Sequence, residues 1–263
     1  MFKPVAHQHI FRASFSAILA LVLASAIAGA QERPRVAIII DDLGYKLALG
    51  QRAIGLPGPV TVAVLPGTPR GRTLAQAANE NGKEVMLHLP LQAVVADGKE
   101  EPGGIRLEMS RGQFAAAFAE SYESIPHIVG INTHRGSLLT RHPGHMAWLM
   151  EEISAHEHLF FVDSFTTHES VALRLAREAG IPSLRRDVFL DVEDNEEAVA
   201  REFERLKIIA VQRGTAIGIG HPFESTMSVL EREIPKLESE GFELISVSGM
   251  IRTRQAAVGP IAR

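Results

Sequence analysis

The chain has no cysteine among its 263 residues. This excludes thiolate catalysis, disulfides and cysteine-type zinc sites together. Any metal ion must therefore be held by histidine and carboxylate, and 11 histidines are available. An excess of positive charge is also missing. The formal net charge is −4 and the isoelectric point is near 6.3, which leaves no electrostatic footprint for nucleic acid or an anionic membrane surface. The sequence holds neither a G-x-x-x-x-G-K-[ST] loop nor a G-x-S-x-G elbow, so neither P-loop phosphate chemistry nor an α/β-hydrolase triad is expected. Beyond the N-terminus no run is long and apolar enough to span a membrane.

The N-terminus is the exception. Lys3 and Arg12 form a basic start, Phe15 to Ile27 is apolar, and Ala28-Gly29-Ala30 is a small-residue cleavage pattern before Gln31. This three-part form predicts a signal peptide over residues 1–30 and export to the periplasm or exterior, with no membrane span left after cleavage. The absence of cysteine is compatible with an oxidising compartment.

Residues 31–252 read as one domain. Hydrophobic residues make up 46% of the chain and charged residues 22%, the balance of a soluble body with a sizeable core. Short apolar runs at 36–40, 60–65, 84–87, 128–131, 159–162, 183–185, 215–219 and 243–247 alternate with stretches of helical spacing at 73–81, 113–123, 146–155, 170–179, 196–212 and 226–240. Gly82, Gly180, Gly214 and Gly241 stand where helices should end. The alternation predicts an α/β fold with a mainly parallel sheet: a distorted or incomplete (β/α) barrel, with an open doubly wound sheet as the alternative. The segment 92–109 breaks the rhythm and reads as a lid or binding loop on the same face as Asp41. Residues 253–263 read as a flexible C-terminal tail.

In such a fold, residues after successive strands converge on one face. Val36 to Ile40 runs into Asp41-Asp42, and further on come His88, then Asn132-Thr133-His134-Arg135-Gly136-Ser137, Asp163-Ser164, Arg185-Arg186-Asp187 and His221. The opposite strand ends share no chemical theme. One of the paired aspartates could simply cap a helix, but two adjacent carboxylates are repelled by one another and by a core. One carboxylate with two imidazoles is a catalytic zinc set with a position left for water. A second carboxylate can then act as general base and a third histidine as general acid, roles open to Asp41, Asp42, His88, His134 and His221. His142 and His145 flank Pro143 at a helix start, and Gly218 and Gly220 suit tight packing better than a dinucleotide site.

Six stretches together resemble one family: Ile-Ile-Asp41-Asp42-Leu-Gly44, Glu84-Val-Met-Leu-His88-Leu-Pro90, Gly130-Ile-Asn132-Thr-His134-Arg-Gly136-Ser137, Phe160-Phe-Val-Asp163-Ser164, Arg185-Arg186-Asp187-Val-Phe-Leu-Asp191 and Ala216-Ile-Gly-Ile-Gly-His221-Pro222. From about Arg35 to Ile251 the chain resembles the divergent polysaccharide deacetylases, a branch of the NodB-like carbohydrate esterase superfamily. The resemblance implies a NodB-like distorted (β/α) barrel and a divalent metal, usually zinc. It implies Asp41 as catalytic base, Asp42 as metal ligand and His221 as general acid. The superfamily's H-x-x-x-H[P] metal motif is absent here, and His88 and His134, on separate strands, stand in for it. Asn132, Ser137, Asp163, Arg186 and Asp187 are expected in substrate-binding or supporting positions. The expected activity is metal-dependent removal of acetyl groups from an acetylated glycan. The alternative is a non-catalytic periplasmic protein that binds a glycan or partner on the same scaffold.

Overall fold

The computed structural model describes residues 33–95 and 101–258. The expected signal peptide lies outside the described residues. The domain from Arg33 onward has nine strands among its described residues: β1 Arg35–Leu43, β2 Thr61–Val64, β3 Val85–Leu91, β4 Ile128–Arg135, β5 Phe160–Asp163, β6 Ser183–Arg185, β7 Val188–Phe189, β8 Thr215–Gly220 and β9 Glu243–Leu244. Its helices are α1 Leu47–Ile54, α2 Gly71–Glu80, α3 Arg111–Ser124, α4 Pro143–Ser154, α5 Ala172–Glu178, α6 Glu196–Arg213, α7 Glu224–Glu233 and α8 Val247–Val258. Helix ends follow local chemistry. Ser110 and Gln113 make a reciprocal capping box on α3, Pro143 opens α4, and Asn195 and the left-handed Gly214 close the two ends of α6.

Every ladder is parallel, in the order β6-β5-β4-β3-β2-β1-β8-β7, with β9 on the start of β1. The two ends of that path, β6 and β7, are joined by Arg186 and Asp187 alone. Three Cα steps span at most about 11 Å, so the sheet has to curl until its ends meet. No ladder links them: Arg186 donates its N–H to Asp163 and Asp187 donates to Ile217. The result is a distorted (β/α) barrel with one seam left open, and it settles the choice against an open doubly wound sheet.

Side-chain alternation divides the core in two. Val36, Ile38, Ile40, Val62, Val64, Leu87 and Leu89 face outward into the layer packed by helices. Ala37, Ile39, Ala63, Met86, Phe160, Val162, Leu184, Ile217 and Ile219 fill the interior, together with Val247, Met250 and Ile251 of α8. Extending the inward positions by two residues gives Asp41 on β1 and His88 on β3, and places His221 just beyond β8. The polar cluster is thus the top layer of the barrel filling.

Three sequence expectations need correction, and two elements went unpredicted. Residues 253–258 are not a loose tail, because α8 continues to Val258 and Arg254 donates to Thr215 (3.0 Å) and Asp187 (2.9 Å). β9 stops at Leu244, and Val247 begins α8 instead of ending a strand. α1 and the two-residue β7 have sequence patterns too short to register. α7 ends at Glu233, where Pro235 forces a 3-10 turn.

Because α8 fills the interior from the end opposite the polar cluster, truncating fully buried Met250 should be costly. We expect Met250→Ala to lower the unfolding free energy by about 2–5 kcal/mol, and exposed Arg252→Ala by less than about 0.5 kcal/mol. Urea denaturation measures both, and equal effects would refute the plug.

Candidate active site

β1 does not finish as a regular strand. Its register against β2 shifts between Ile40 and Leu43, and Asp42 adopts φ 59°. A left-handed residue of this kind is uncommon outside glycine and marks a bulge that re-aims side chains. In an unbroken strand Asp41 and Asp42 would face opposite sides. Here both reach one imidazole, with His88 Nε2 at 3.6 Å from Asp41 Oδ2 and 3.1 Å from Asp42 Oδ1. The next turn holds the bulge in place: at Gly44 (φ 141°) a Cβ would lie 2.1 Å from Thr68 Oγ1.

Three atoms converge beside the bulge. Asp42 Oδ1, His88 Nε2 and His134 Nδ1 stand 2.9 to 3.2 Å apart in pairs. Asp42 Oδ1 is buried yet receives no well-directed hydrogen bond. Its neighbours are crowded against it without their N–H vectors aimed at it, as ligands of a common ion would be. A tetrahedral ion with bonds of 2.0–2.2 Å would separate such atoms by about 3.3–3.6 Å, so a small outward adjustment completes the set. Among the described residues these three form the group able to hold a metal.

Hydrogen bonds behind the cluster fix its polarity. Asn132 is fully buried; its Nδ2 donates to Asp41 Oδ1 and its Oδ1 accepts from His88 Nδ1, each at 2.8 Å. That bond leaves His88 Nε2 free to offer a lone pair, the arrangement expected of a ligating histidine. Burial raises the Asp41 carboxyl above its ordinary range, against the pull of His88 and His221. Burial opposes the charge of Asp42 as well, but the imidazoles of His134 and His88 hold its carboxyl far below the carboxylate range. Burial favours neutral His88, yet the charges of Asp41 and Asp42 prevail and push its pKa up. A proton on His88 would thus offset part of the carboxylate charge, and a divalent cation would bring positive charge to the same point.

His221 enters from the other side. Its Nδ1 lies 3.0 Å from Asp191 Oδ1, and Asp191 Oδ2 accepts from the His221 backbone N–H and from Thr226 Oγ1. His221 Nε2 then faces Asp42 Oδ2 at 3.8 Å. Burial disfavours the imidazolium, but Asp191 and the charge of Asp42 push its pKa up to about 9. Phe189 and Phe223 flank the ring, with centroids at 5.2 and 5.5 Å.

The remaining expected residues divide. Ser137 Oγ accepts from Val94 N–H and pins the start of the 92–109 loop. Asp163 binds Phe165 N–H and Ser170 Oγ, and Arg186 donates to the carbonyls of Ser164 and Phe165. Both therefore shape the loop after β5. Asp187 stays away from the cluster, held by Arg213, Arg254 and Ile217 N–H, where it anchors α8. Gly218 packs against Leu206 and Leu190, so tight packing is indeed its role.

Sequence reasoning missed three contributors. Asp191 follows the very short β7, and only its place in the fifth family-like stretch hinted at it. Tyr45 OH donates to Glu101 Oε2 (3.0 Å), and Glu101 Oε1 lies 3.9 Å from His134 Nε2. Part of the 92–109 loop is therefore on the expected face. His142 occupies the N-cap position of α4 without a side-chain capping bond, and His145 lies buried against Trp148 and Phe114, away from the cluster.

An uncharacterized protein of Haemophilus influenzae is 35% identical over 221 residues, covering 84% of this chain and 78% of its own length. In fold, the chain is similar to an uncharacterized protein of Agrobacterium tumefaciens C58, at a TM-score of 0.79 and 23% identity, with 84% of this chain and 90% of that one aligned. A more distant fold likeness is to a mutant of a Bacillus anthracis CE4 family pseudoenzyme with restored enzymatic activity, at a TM-score of 0.52 and 13% identity, covering 83% and 68%. The family model described as divergent polysaccharide deacetylase matches residues 38–251, the span from β1 to α8 that carries the whole cluster, and the chain belongs to that family.

Proposed function

We propose that the protein is an exported hydrolase that uses a divalent metal, zinc by its ligand set, to remove acetyl groups from an acetylated cell-envelope glycan. The observation that carries this reading is the convergence of Asp42, His88 and His134 next to a separate buried carboxylate and an imidazole oriented by Asp191. Asp42 Oδ1, His88 Nε2 and His134 Nδ1 would hold the ion. When bound, it lowers the pKa of water toward about 7 and polarises an acetyl carbonyl.

The other steps belong to side chains of this chain. Asn132 occupies Asp41 Oδ1, so Oδ2 is the oxygen that takes the proton of the attacking water. Burial makes Asp41 a stronger base than an exposed aspartate. Asp191 holds His221 Nδ1–H, so Nε2–H delivers a proton to the departing nitrogen or oxygen of the sugar. Asn132 couples base and ligand by touching both Asp41 and His88.

A non-catalytic binding role is the second reading, favoured by the missing H-x-x-x-H motif and by the pseudoenzyme of similar fold. Acetate release from a panel of acetylated glycans, with and without added zinc, separates the two, since a binding protein releases none.

In elemental analysis, Asp42→Ala should lose its bound metal. Asp41→Asn should keep it while turnover falls by about 10²–10⁴. Full metal content in Asp42→Ala would overturn the ligand assignment. For the pH profile of kcat/KM, the acid His221 is needed protonated, so activity should fall as pH rises through about 9. In Asp191→Asn the raised pKa loses its main support, and the alkaline limb should move toward the ordinary histidine value near 6.5. A limb that does not move would separate His221 from proton donation.

A further inference from the structure

Beside the cluster, where the barrel seam stays open, lies a cavity of about 720 Å³. Its wall runs from Phe165 through Arg185, Arg186 and Phe189 to Asp191, the residue that orients His221. It therefore borders the residues that position His221, and it is of the size that takes one small ligand or a sugar unit.

The cavity is cationic in a chain of net charge −4. Four arginines line it, and two of them are neutralised on the spot: Arg205 by Glu202 at 3.1 Å, and Arg213 by Asp187 at 3.3 Å. The other two are not. Arg186 spends its Nε and Nη2 donors on the carbonyls of Ser164 and Phe165. Among the described residues Arg185 pairs with no carboxylate, and its guanidinium lies 4.2 Å over the Phe165 ring. Arg186 lies in the same way over Phe189, at 4.6 Å.

This wall is built, not incidental. Phe165 sits at φ 51°, a sparsely populated region for a bulky side chain. Buried Asp163 holds it there through the Phe165 N–H, and Arg186 clamps the carbonyls of Ser164 and Phe165. Several groups are thus committed to holding an unneutralised guanidinium flat on an aromatic ring in the cavity wall. The half-buried Phe165 ring adds apolar surface beside that charge, which suits the apolar face of a sugar. A single guanidinium fork matches the two oxygens of a carboxylate, whereas a phosphate dianion asks for more cations than one free fork supplies.

We propose that this cavity is a subsite for an acidic sugar, and that the glycan acted on carries a carboxylate next to the acetylated residue. The proposal rests on the deacetylase reading for the identity of the neighbouring site, but its test does not. Calorimetric titration of the full chain with trigalacturonate, which carries no acetyl group, measures the subsite without turnover. Trigalacturonate should bind, weaken as salt rises, and bind at least about tenfold tighter than cellotriose, a neutral trimer of the same length that also carries no acetyl group. Arg185→Gln should weaken trigalacturonate by about tenfold, the usual scale for one charged hydrogen-bonded contact, and leave cellotriose binding unchanged. Arg185 is exposed, so the variant should fold; Phe165→Leu, which removes the ring that supports the guanidinium and keeps the charge, should weaken both trimers. Equal affinity for the two trimers, or an Arg185→Gln variant that binds trigalacturonate as the parent does, would overturn the subsite. Inorganic phosphate displacing trigalacturonate more strongly than acetate does at equal concentration would overturn the carboxylate assignment. Absent acetate release with intact trigalacturonate binding would sink the deacetylase reading alone.

Discussion

Two adjacent carboxylates, one of them 2% exposed, cannot sit at the mouth of an apolar barrel without positive charge close by. That constraint organises the top of this molecule. Isolated buried anions are among the most expensive groups a fold can hold, and the chain answers with three imidazoles from β3, β4 and the end of β8, and with the bridging amide of Asn132. The answer is incomplete in one respect. Asp42 Oδ1 stays buried without a directed donor, so the cluster leaves one carboxylate oxygen unmet. A cation coordinated by lone pairs would meet it, which is why the same atoms read as a ligand set.

The backbone bends to meet that constraint. Among the described residues four non-glycine positions have positive φ: Asp42, His127, Arg135 and Phe165. Three of them lie at the carboxyl ends of β1, β4 and β5, on the face that holds the cluster. Each such residue costs on the order of 1–3 kcal/mol unless its surroundings over-determine it. The strain at Asp42 turns a side chain that would face the helices into the barrel mouth. That at Phe165 presents a ring at the open seam. The other end of the barrel behaves differently: it is filled with Val247, Met250 and Ile251 of α8 and tied down by Arg254. One end is built for packing and the other for chemistry.

The open seam links these features. A barrel closed by hydrogen bonds between its first and last strands would have no slot at that point. Here the connection through Arg186 and Asp187 divides the labour: Asp187 reaches toward α8 and Arg186 toward the loop after β5. The cavity beside His221 is a consequence of that arrangement.

Much of this was legible in the sequence. Periodic alternation identified the strands and most helices because burial on both faces demands continuous apolar runs such as Val36 to Ile40, and because glycine is favoured past helix ends. The strand-end inventory picked out Asp41, Asp42, His88, His134 and His221 because parallel strands deliver their carboxyl ends to one face. β7, α1 and the true end of β9 escaped, since such short elements carry too little periodicity, and residues 253–258 read as a tail because their anchor, Asp187, is distant in sequence. By itself the sequence determined the strand–helix order, the chemistry available and the face on which it gathers. Only the tertiary structure decided that the bulge at Asp42 puts both carboxylates on one imidazole, that Asp191 orients His221, and that Asp187 serves α8 while Arg185 faces the cavity without a carboxylate partner among the described residues. Those outcomes depend on backbone dihedrals and on pairings across tens of residues, which no local pattern encodes.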